Sequence, residues 1–381
     1  MSAPEPGRSP APAPLRSPRY RLIEAWRGIA ALAVLSFHSF GPFTGQAVWQ
    51  PLEPLREASG FGWLGLHLFF VISGYCIFDR LALSAARREP VKIFLADRFL
   101  RIFPTYWAVL ICSVALNLAT WPFNHSHFSG NIPGSLADGL ADLSLTHVLF
   151  GSPPFVLVSW TLTCEASFYL LAGLLLACSR RSPRLLPALA IGFALCVPAG
   201  WVPSTHWTLP LALWPDFFAG ACVSMILRAW ASRDLLWSAA GGAALASLTA
   251  AAAIGPGNYG TEAHRVACGF AWVLLGLHPW DGVLAGLAPV RWLASAGAFS
   301  YSLYLVHVQI LTRVINLGTR LVRPASAGFG LLWLAAVVIA VAGGRYFWRV
   351  VEMRCERSRH QRSAARRAAA DRAAALLVRP A

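Results

Sequence analysis

The stretch RGIAALAVLSFH holds the first residues that could do chemistry. Arg27 and His38 bracket ten residues that carry no other charge. At about 100° per residue, eleven steps bring both side chains to one helix face, roughly 16 Å apart along the axis. Arg27 lies near an end, where an arginine can snorkel to the interface. His38 lies deep in the apolar run, where ionisable groups face a bundle interior or a water-filled cavity. An imidazole, with an unperturbed pKa of about 6.5, is suited to taking a proton near neutral pH.

Three further stretches add polar groups to apolar surroundings. In FLADRFLRIFPTYW, Arg98 and Arg101 are three apart and share a helix face. Two guanidinium groups so placed can grip a phosphate, although ordinary interfacial anchoring also accounts for such a pair. In SWTLTCEASFYLLAG, Glu165 is a lone carboxylate that needs a cationic or hydrogen-bonding partner, with Arg27, His38 and His307 as candidates. In FSYSLYLVHVQIL, Ser300, Tyr304 and His307 fall at i, i+4 and i+7, one polar stripe. Such a stripe can bind neighbouring helices, but two intramembrane histidines and a carboxylate exceed that need. The stretch GWLGLHLFFVISGYCIFDR, with Phe69, Phe70 and the Ser73-Gly74 pair, reads as a closely packed helix.

The elements that must position these groups are membrane helices. Of the 381 residues 56% are hydrophobic and 13% charged, with a mean hydropathy of +0.54; soluble domains average about a quarter charged. Ten apolar runs predict spans over about 23–41, 62–82, 102–120, 157–179, 184–202, 208–230, 235–254, 264–280, 292–316 and 328–351. The expected fold is an all-α integral membrane bundle of about ten transmembrane helices. Pro279 and Asp281 interrupt the eighth run, and residues 136–150 read as a short interfacial or re-entrant piece.

The net charge of +15 does not call for nucleic acid. Residues 1–21 carry +3, 79–101 carry +3 and 352–381 carry +5, all flanking apolar runs. Loops 4–5 (Arg180, Arg181, Arg184) and 6–7 (Arg228, Arg233) are basic too, whereas the alternate loops 120–156 and 203–207 hold no Lys or Arg. By the positive-inside rule both termini are expected in the cytoplasm. Arg313, Arg320 and Arg323 disagree, falling on the outer side, so either they serve a site there or a span is miscounted. The eight cysteines are scattered without zinc spacing, and neither a disulfide nor a metal site is read from them. Three units follow: a disordered basic N-terminus (1–21) with no signal-peptide pattern, a transmembrane domain (22–355), and a basic cytoplasmic tail (356–381).

RLIEAWRGIAALAVLSFH, GLHLFFVISGY, FLADRFLRIFPTYW, SWTLTCEASFYL, FSYSLYLVH and RYFWRVVEMRCER, in this order across residues 22–359, together resemble the bacterial membrane-bound acyltransferase family 3. The resemblance implies about ten transmembrane helices and transfer of an acyl group, usually acetyl from acetyl-CoA, to a hydroxyl of a carbohydrate or other metabolite. The family's arginine–ten residues–histidine motif falls on Arg27 and His38, its arginine pair on Arg98 and Arg101, and its buried glutamate on Glu165. Its late histidine falls on His307 and its closing glutamate on Glu352. Two departures stand out. The usual Asp-Gly before the first arginine is Glu24-Ala25, which keeps an i,i+3 carboxylate, and the usual Pro after Glu352 is Arg354, which leaves the role of Glu352 open. The SGNH-type domain that follows the last span in many relatives is not expected here, so the stand-alone form is implied.

The expected function is that of a membrane O-acyltransferase of the bacterial inner membrane. Acyl-CoA is the co-substrate, no bound cofactor or metal is expected, and the acceptor is a surface polysaccharide, lipid-linked glycan or secreted metabolite. His38 is the expected base, with His307 as competitor, Glu165 as its orienting carboxylate, and Arg98 and Arg101 on the CoA phosphates. Arg27 would continue the donor's path or stabilise the oxyanion. A secondary transporter for an anionic solute is the alternative, since intramembrane His, Glu and Arg also mark ion pathways.

Overall fold

The computed structural model describes residues 20–43, 46–120, 135–182, 185–196, 205, 208–255, 259–359, 361–362 and 365. The regular elements among them are all helical. In chain order they are α1 (Ile23–Phe40), α2 (Glu53–Ser59), α3 (Gly65–Ala86), α4 (Val91–Thr120), α5 (Leu136–Leu143), α6 (His147–Phe150), α7 (Trp160–Cys178) and α8 (Leu185–Cys196). The second half holds α9 (Leu209–Ser232), α10 (Leu235–Ile254), α11 (Tyr259–Leu277), α12 (Asp281–Leu284), α13 (Ala288–Ala298), α14 (Ser300–Gly318) and α15 (Ala327–Phe347). Of the N-terminal unit expected over 1–21, residues 1–19 lie outside the described residues, as does 366–381 of the tail.

Among the described residues, seven segments are long and apolar enough to cross a bilayer: Gln50–Ala86, Val91–Ala119, Leu157–Cys178, Leu209–Ser232, Leu235–Ile254, Thr261–Leu284 and Ala327–Arg359. This is a multi-pass membrane protein. The other three predicted spans differ for identifiable reasons. The run 184–202 is described as helix only over Leu185–Cys196. The first run forms α1, whose apolar content is diluted by Glu24, Arg27 and His38. The ninth breaks at Phe299 into α13 and α14, and α14 carries His307, Gln309, Thr312 and Arg313. Both α1 and α14 carry residues expected to do chemistry, His38 and His307 among them.

The bundle closes around α9, whose apolar window is 83% buried. Its 24 residues rise about 36 Å, enough for a hydrocarbon core of about 30 Å. Apolar side chains gain little by leaving lipid for protein, so close backbone approach must hold such helices together. At the α3–α9 crossing a Cβ on Gly74 would lie 1.9 Å from the Phe217 carbonyl oxygen, and one on Gly220 would lie 1.9 Å from that of Val71. Neither position admits a side chain. The aromatic rings of Phe70, Phe217 and Phe168 stack beside this crossing, with centroids 4.7 and 4.5 Å apart.

The start of α1 is tied down from far along the chain. Asp281 accepts from the backbone N–H groups of Arg21 (2.9 Å) and Leu22 (2.8 Å), and Tyr20 donates to the Leu274 carbonyl. A helix start leaves backbone donors without intrahelical partners, and here a carboxylate 259 residues away takes one up. That gives Asp281, an interruption in the eighth apolar run, a structural task. Arg313 is likewise an internal tie, donating to the Gln309 carbonyl and side chain and to Asn117 on α4.

Candidate active site

A cavity of about 150 Å³ lies between α1, α3, α4, α7 and α14. Arg27, Arg98, Arg101 and Glu165 all line it, together with Ser73, Cys76, Thr161, Tyr169, Ser300, Tyr301 and Tyr304. Four of the six residues expected to do chemistry thus meet in one place. Arg27 keeps its i,i+3 partner, with Glu24 at 3.6 Å.

The arginine pair is not symmetric. Arg101 is paired with Glu352 at 3.3 Å and with Glu356, and its guanidinium lies over the Tyr301 ring. Arg98 has no carboxylate pairing among the described residues. It lies 5.9 Å from the Phe94 ring centroid and 5.8 Å from that of Tyr169, and its buried Nε is without a hydrogen-bond partner. Arg98 is therefore the cation with charge to spare. Glu352, 2% exposed, also accepts from the Ser302 backbone N–H (3.2 Å) and hydroxyl (2.6 Å). It ends a π-helical turn, Trp348–Glu352. Its role becomes clear: it satisfies a backbone donor in the first turn of α14 and holds Arg101 in place.

Glu165 meets neither histidine among the described residues. It accepts from Ser73 Oγ at 2.8 Å and Tyr169 OH at 2.6 Å. The expected orienting carboxylate is thus bound to the cavity's own hydroxyls. Ser73 was legible only as a packing residue, because nothing in its own helix points to a partner on α7.

His38 and His307 stand apart from the cavity lining but face one another, ring centroids 5.1 Å apart. Tyr304 lines the cavity and also neighbours the pair: its ring is 5.9 Å from that of His307, and its hydroxyl is 2.9 Å from Thr161 Oγ1. His307 is 1% exposed, and its Nδ1 donates to the carbonyls of Tyr304 (2.8 Å) and Leu303 (3.1 Å). A carbonyl can only accept, so Nδ1 carries the proton and Nε2 presents a lone pair. That Nε2 is buried with no partner. Backbone carbonyls do for this ring what a carboxylate does in other proton-transfer sites.

Sequence reading passed over two more groups of buried ionisable residues. His67, Asp216 and His264, all buried, converge from α3, α9 and α11. Their signal was available, for an aspartate beside Pro215 in an apolar run is costly unless partnered. In the segment 135–159, Asp142 accepts from the Phe155 N–H, and His147 Nδ1 lies 3.4 Å from Asp142 Oδ1. Burial pushes the Asp142 carboxyl up to about 6 and the His147 imidazole down to about 4. This segment is pinned to α4 and α7, because Tyr106 donates to the Asp142 carbonyl and Thr163 to that of Leu145.

The family model of the acyltransferase domain, family 3, matches residues 20–349. The chain is 29% identical to acyltransferase MdmB of Streptomyces mycarofaciens, over 90% of this chain and 93% of that one. It is 26% identical to nodulation protein 10 of Rhizobium leguminosarum bv. viciae, over 77% and 82% respectively. It is also 26% identical to peptidoglycan O-acetyltransferase OatA of Listeria monocytogenes, over 47% of this chain and 28% of that one. No solved structure gives a significant match.

Proposed function

Because the chain belongs to the membrane-bound acyltransferase family 3, and so is an enzyme that transfers acyl groups other than aminoacyl groups, we propose that it moves an acyl group, acetyl in the simplest case, from acyl-CoA to a hydroxyl on a carbohydrate or secreted metabolite. The donor enters from the cytoplasm of a bacterial inner membrane crossed by about ten helices, with both termini cytoplasmic. The likeness to a peptidoglycan O-acetyltransferase supports a carbohydrate acceptor. The observation that carries the reading is a cationic cavity lined by a tyrosine that also neighbours a histidine with a free lone pair.

In this reading Arg98 and Arg27 take the CoA phosphates by charge-assisted hydrogen bonds. Arg101, held by Glu352, keeps the cavity mouth in shape and adds field. The extended pantetheine arm then carries the thioester past Tyr304 towards the histidine pair. The acceptor O–H attacks the thioester carbonyl while His307 Nε2 takes its proton, with His38 beside it as the second proton-handling group. The tetrahedral intermediate collapses by breaking the C–S bond, and the thiolate takes the proton back from the imidazolium. The acyl ester and free CoA leave.

Purified protein incubated with acyl-CoA carrying a labelled acyl group, with and without a crude acceptor fraction from the envelope, tests this directly. Label transfer to the acceptor with release of stoichiometric free CoA is expected. A protein that binds the donor yet releases no CoA under either condition would remove the transferase roles from these residues.

A further inference from the structure

One cluster that the acyl-transfer reading leaves unused joins three helices. His67, Asp216 and His264 are 4%, 1% and 2% exposed and come from three different helices. Their ligand-capable atoms all lie within 4.8 Å of one another. His67 Nδ1 is 2.5 Å from one oxygen of Asp216, and His264 Nδ1 is 2.5 Å from the other. Pro215 precedes the aspartate inside α9 and removes a backbone donor there.

Each short contact is either an imidazole N–H donating to the carboxylate or, with the atoms moved slightly apart, a nitrogen and an oxygen sharing one metal ion. Two imidazoles and one carboxylate are also the donor set of three-ligand Zn²⁺ sites.

We propose that His67, Asp216 and His264 form a buried divalent transition-metal site, with Zn²⁺ as the ion that best suits two nitrogens and one oxygen. The ion would replace the protons at the two Nδ1 atoms and open each nitrogen–oxygen contact from 2.5 Å to roughly 3.3 Å, as tetrahedral bond lengths require. One carboxylate leaves a charge of +1 on the assembly. A hydroxide in the fourth position offsets it, or the thiolate of Cys268, buried one turn along α11 from His264. The site ties α3 and α11 to the central helix α9. The role is structural, since His67 and its partners are absent from the cavity lining while Ser73 and Cys76 of the same α3 belong to it.

The test uses the full chain in detergent, purified on an affinity tag free of histidine. Elemental analysis should find close to one zinc per chain. Asp216→Asn and His264→Gln, taken as the monodisperse fraction, should lower the apparent zinc affinity by roughly tenfold or more. Should those variants fail to fold, the wild type still decides. Chelator-stripped wild-type protein should take up Co²⁺ alone with the visible spectrum of a four-coordinate site, and added Zn²⁺ alone should raise its unfolding temperature. A wild type that takes up neither ion, or folded variants that retain full zinc, would overturn the proposal and leave imidazole N–H groups donating to the carboxylate.

Discussion

Two buried polar regions share this apolar bundle, and their polar atoms end differently. Among the described residues, Arg98 Nε and Ser300 Oγ at the cavity and His307 Nε2 beside it have no hydrogen-bond partner, as do His147 Nδ1, Ser224 Oγ and Arg313 Nε elsewhere. In the α3–α9–α11 cluster each Asp216 oxygen is met by an imidazole nitrogen at 2.5 Å. Leaving a buried polar atom unpaired costs on the order of 1–3 kcal/mol. Stability alone gives no reason to keep three such atoms at and beside one cavity, whereas a ligand that completes them does. In the proposed reading, the open atoms at the cavity are those a substrate would complete. Atoms that converge on one another mark where helices are joined.

The largest effect expected from this contrast concerns the histidines. His307→Ala and His307→Gln should each lower kcat by about 10²- to 10⁴-fold in folded protein, because neither side chain can accept a proton as the lone pair at Nε2 does. His264→Gln should instead lower the unfolding temperature while its folded fraction keeps kcat within a few-fold. Single-turnover rates on monodisperse fractions separate the two. Substituting His38 in the same way tells whether the second ring shares the proton, and a near-normal His307→Gln would pass the role to His38. The contrast fails if His264→Gln abolishes turnover and His307→Gln does not.

A smaller effect divides the two arginines. Arg98→Ala should weaken acyl-CoA binding by roughly 10- to 100-fold, the worth of charge-assisted hydrogen bonds lost without other compensation. Arg101→Ala should act first on stability, because it leaves Glu352, buried and now without its cation, inside the bundle. Adding Glu352→Gln to Arg101→Ala should recover part of the lost unfolding temperature. Equal losses of donor affinity in both single variants, with no change in unfolding, would erase the distinction.

The smallest effect lies in the Asp142–His147 knot, outside the membrane-spanning helices. Asp142 is held at about 6, above its ordinary 3.8, so the stability from its protonated form is present below about 3.8 and lost as pH rises through about 6. His147 is held at about 4, below its ordinary 6.5, so the stability from its neutral form is present above about 6.5 and lost as pH falls through about 4. The slopes oppose one another. The contribution of this knot to the wild type's unfolding temperature should be nearly flat between about pH 4 and 6.5. In His147→Gln the unfolding temperature should fall with rising pH across that window relative to wild type, and in Asp142→Asn it should rise. Shifts of the same sign in both variants would show that the two groups titrate as one ion pair.

Much of this protein was determined by the sequence alone. Apolar runs longer than a bilayer is thick leave a chain few alternatives to membrane helices, because backbone polar groups in lipid must be satisfied within the segment. Arg27, Arg98, Arg101 and Glu165 were legible as candidates for the same reason, since charge inside an apolar run needs a purpose, and all four line one cavity. Spacing could say which face of one helix a residue occupies but not which helix lies opposite. Only the tertiary structure decided that Glu165 answers to Ser73 and Tyr169 rather than to a histidine. It likewise gave Arg101 to Glu352, made backbone carbonyls the orienting partners of His307, and brought Asp216 between two imidazoles from helices far apart in the chain. Each of these is a pairing across helices. Its energy comes from a contact that does not exist until backbones meet at positions such as Gly74 and Gly220, where no side chain intervenes.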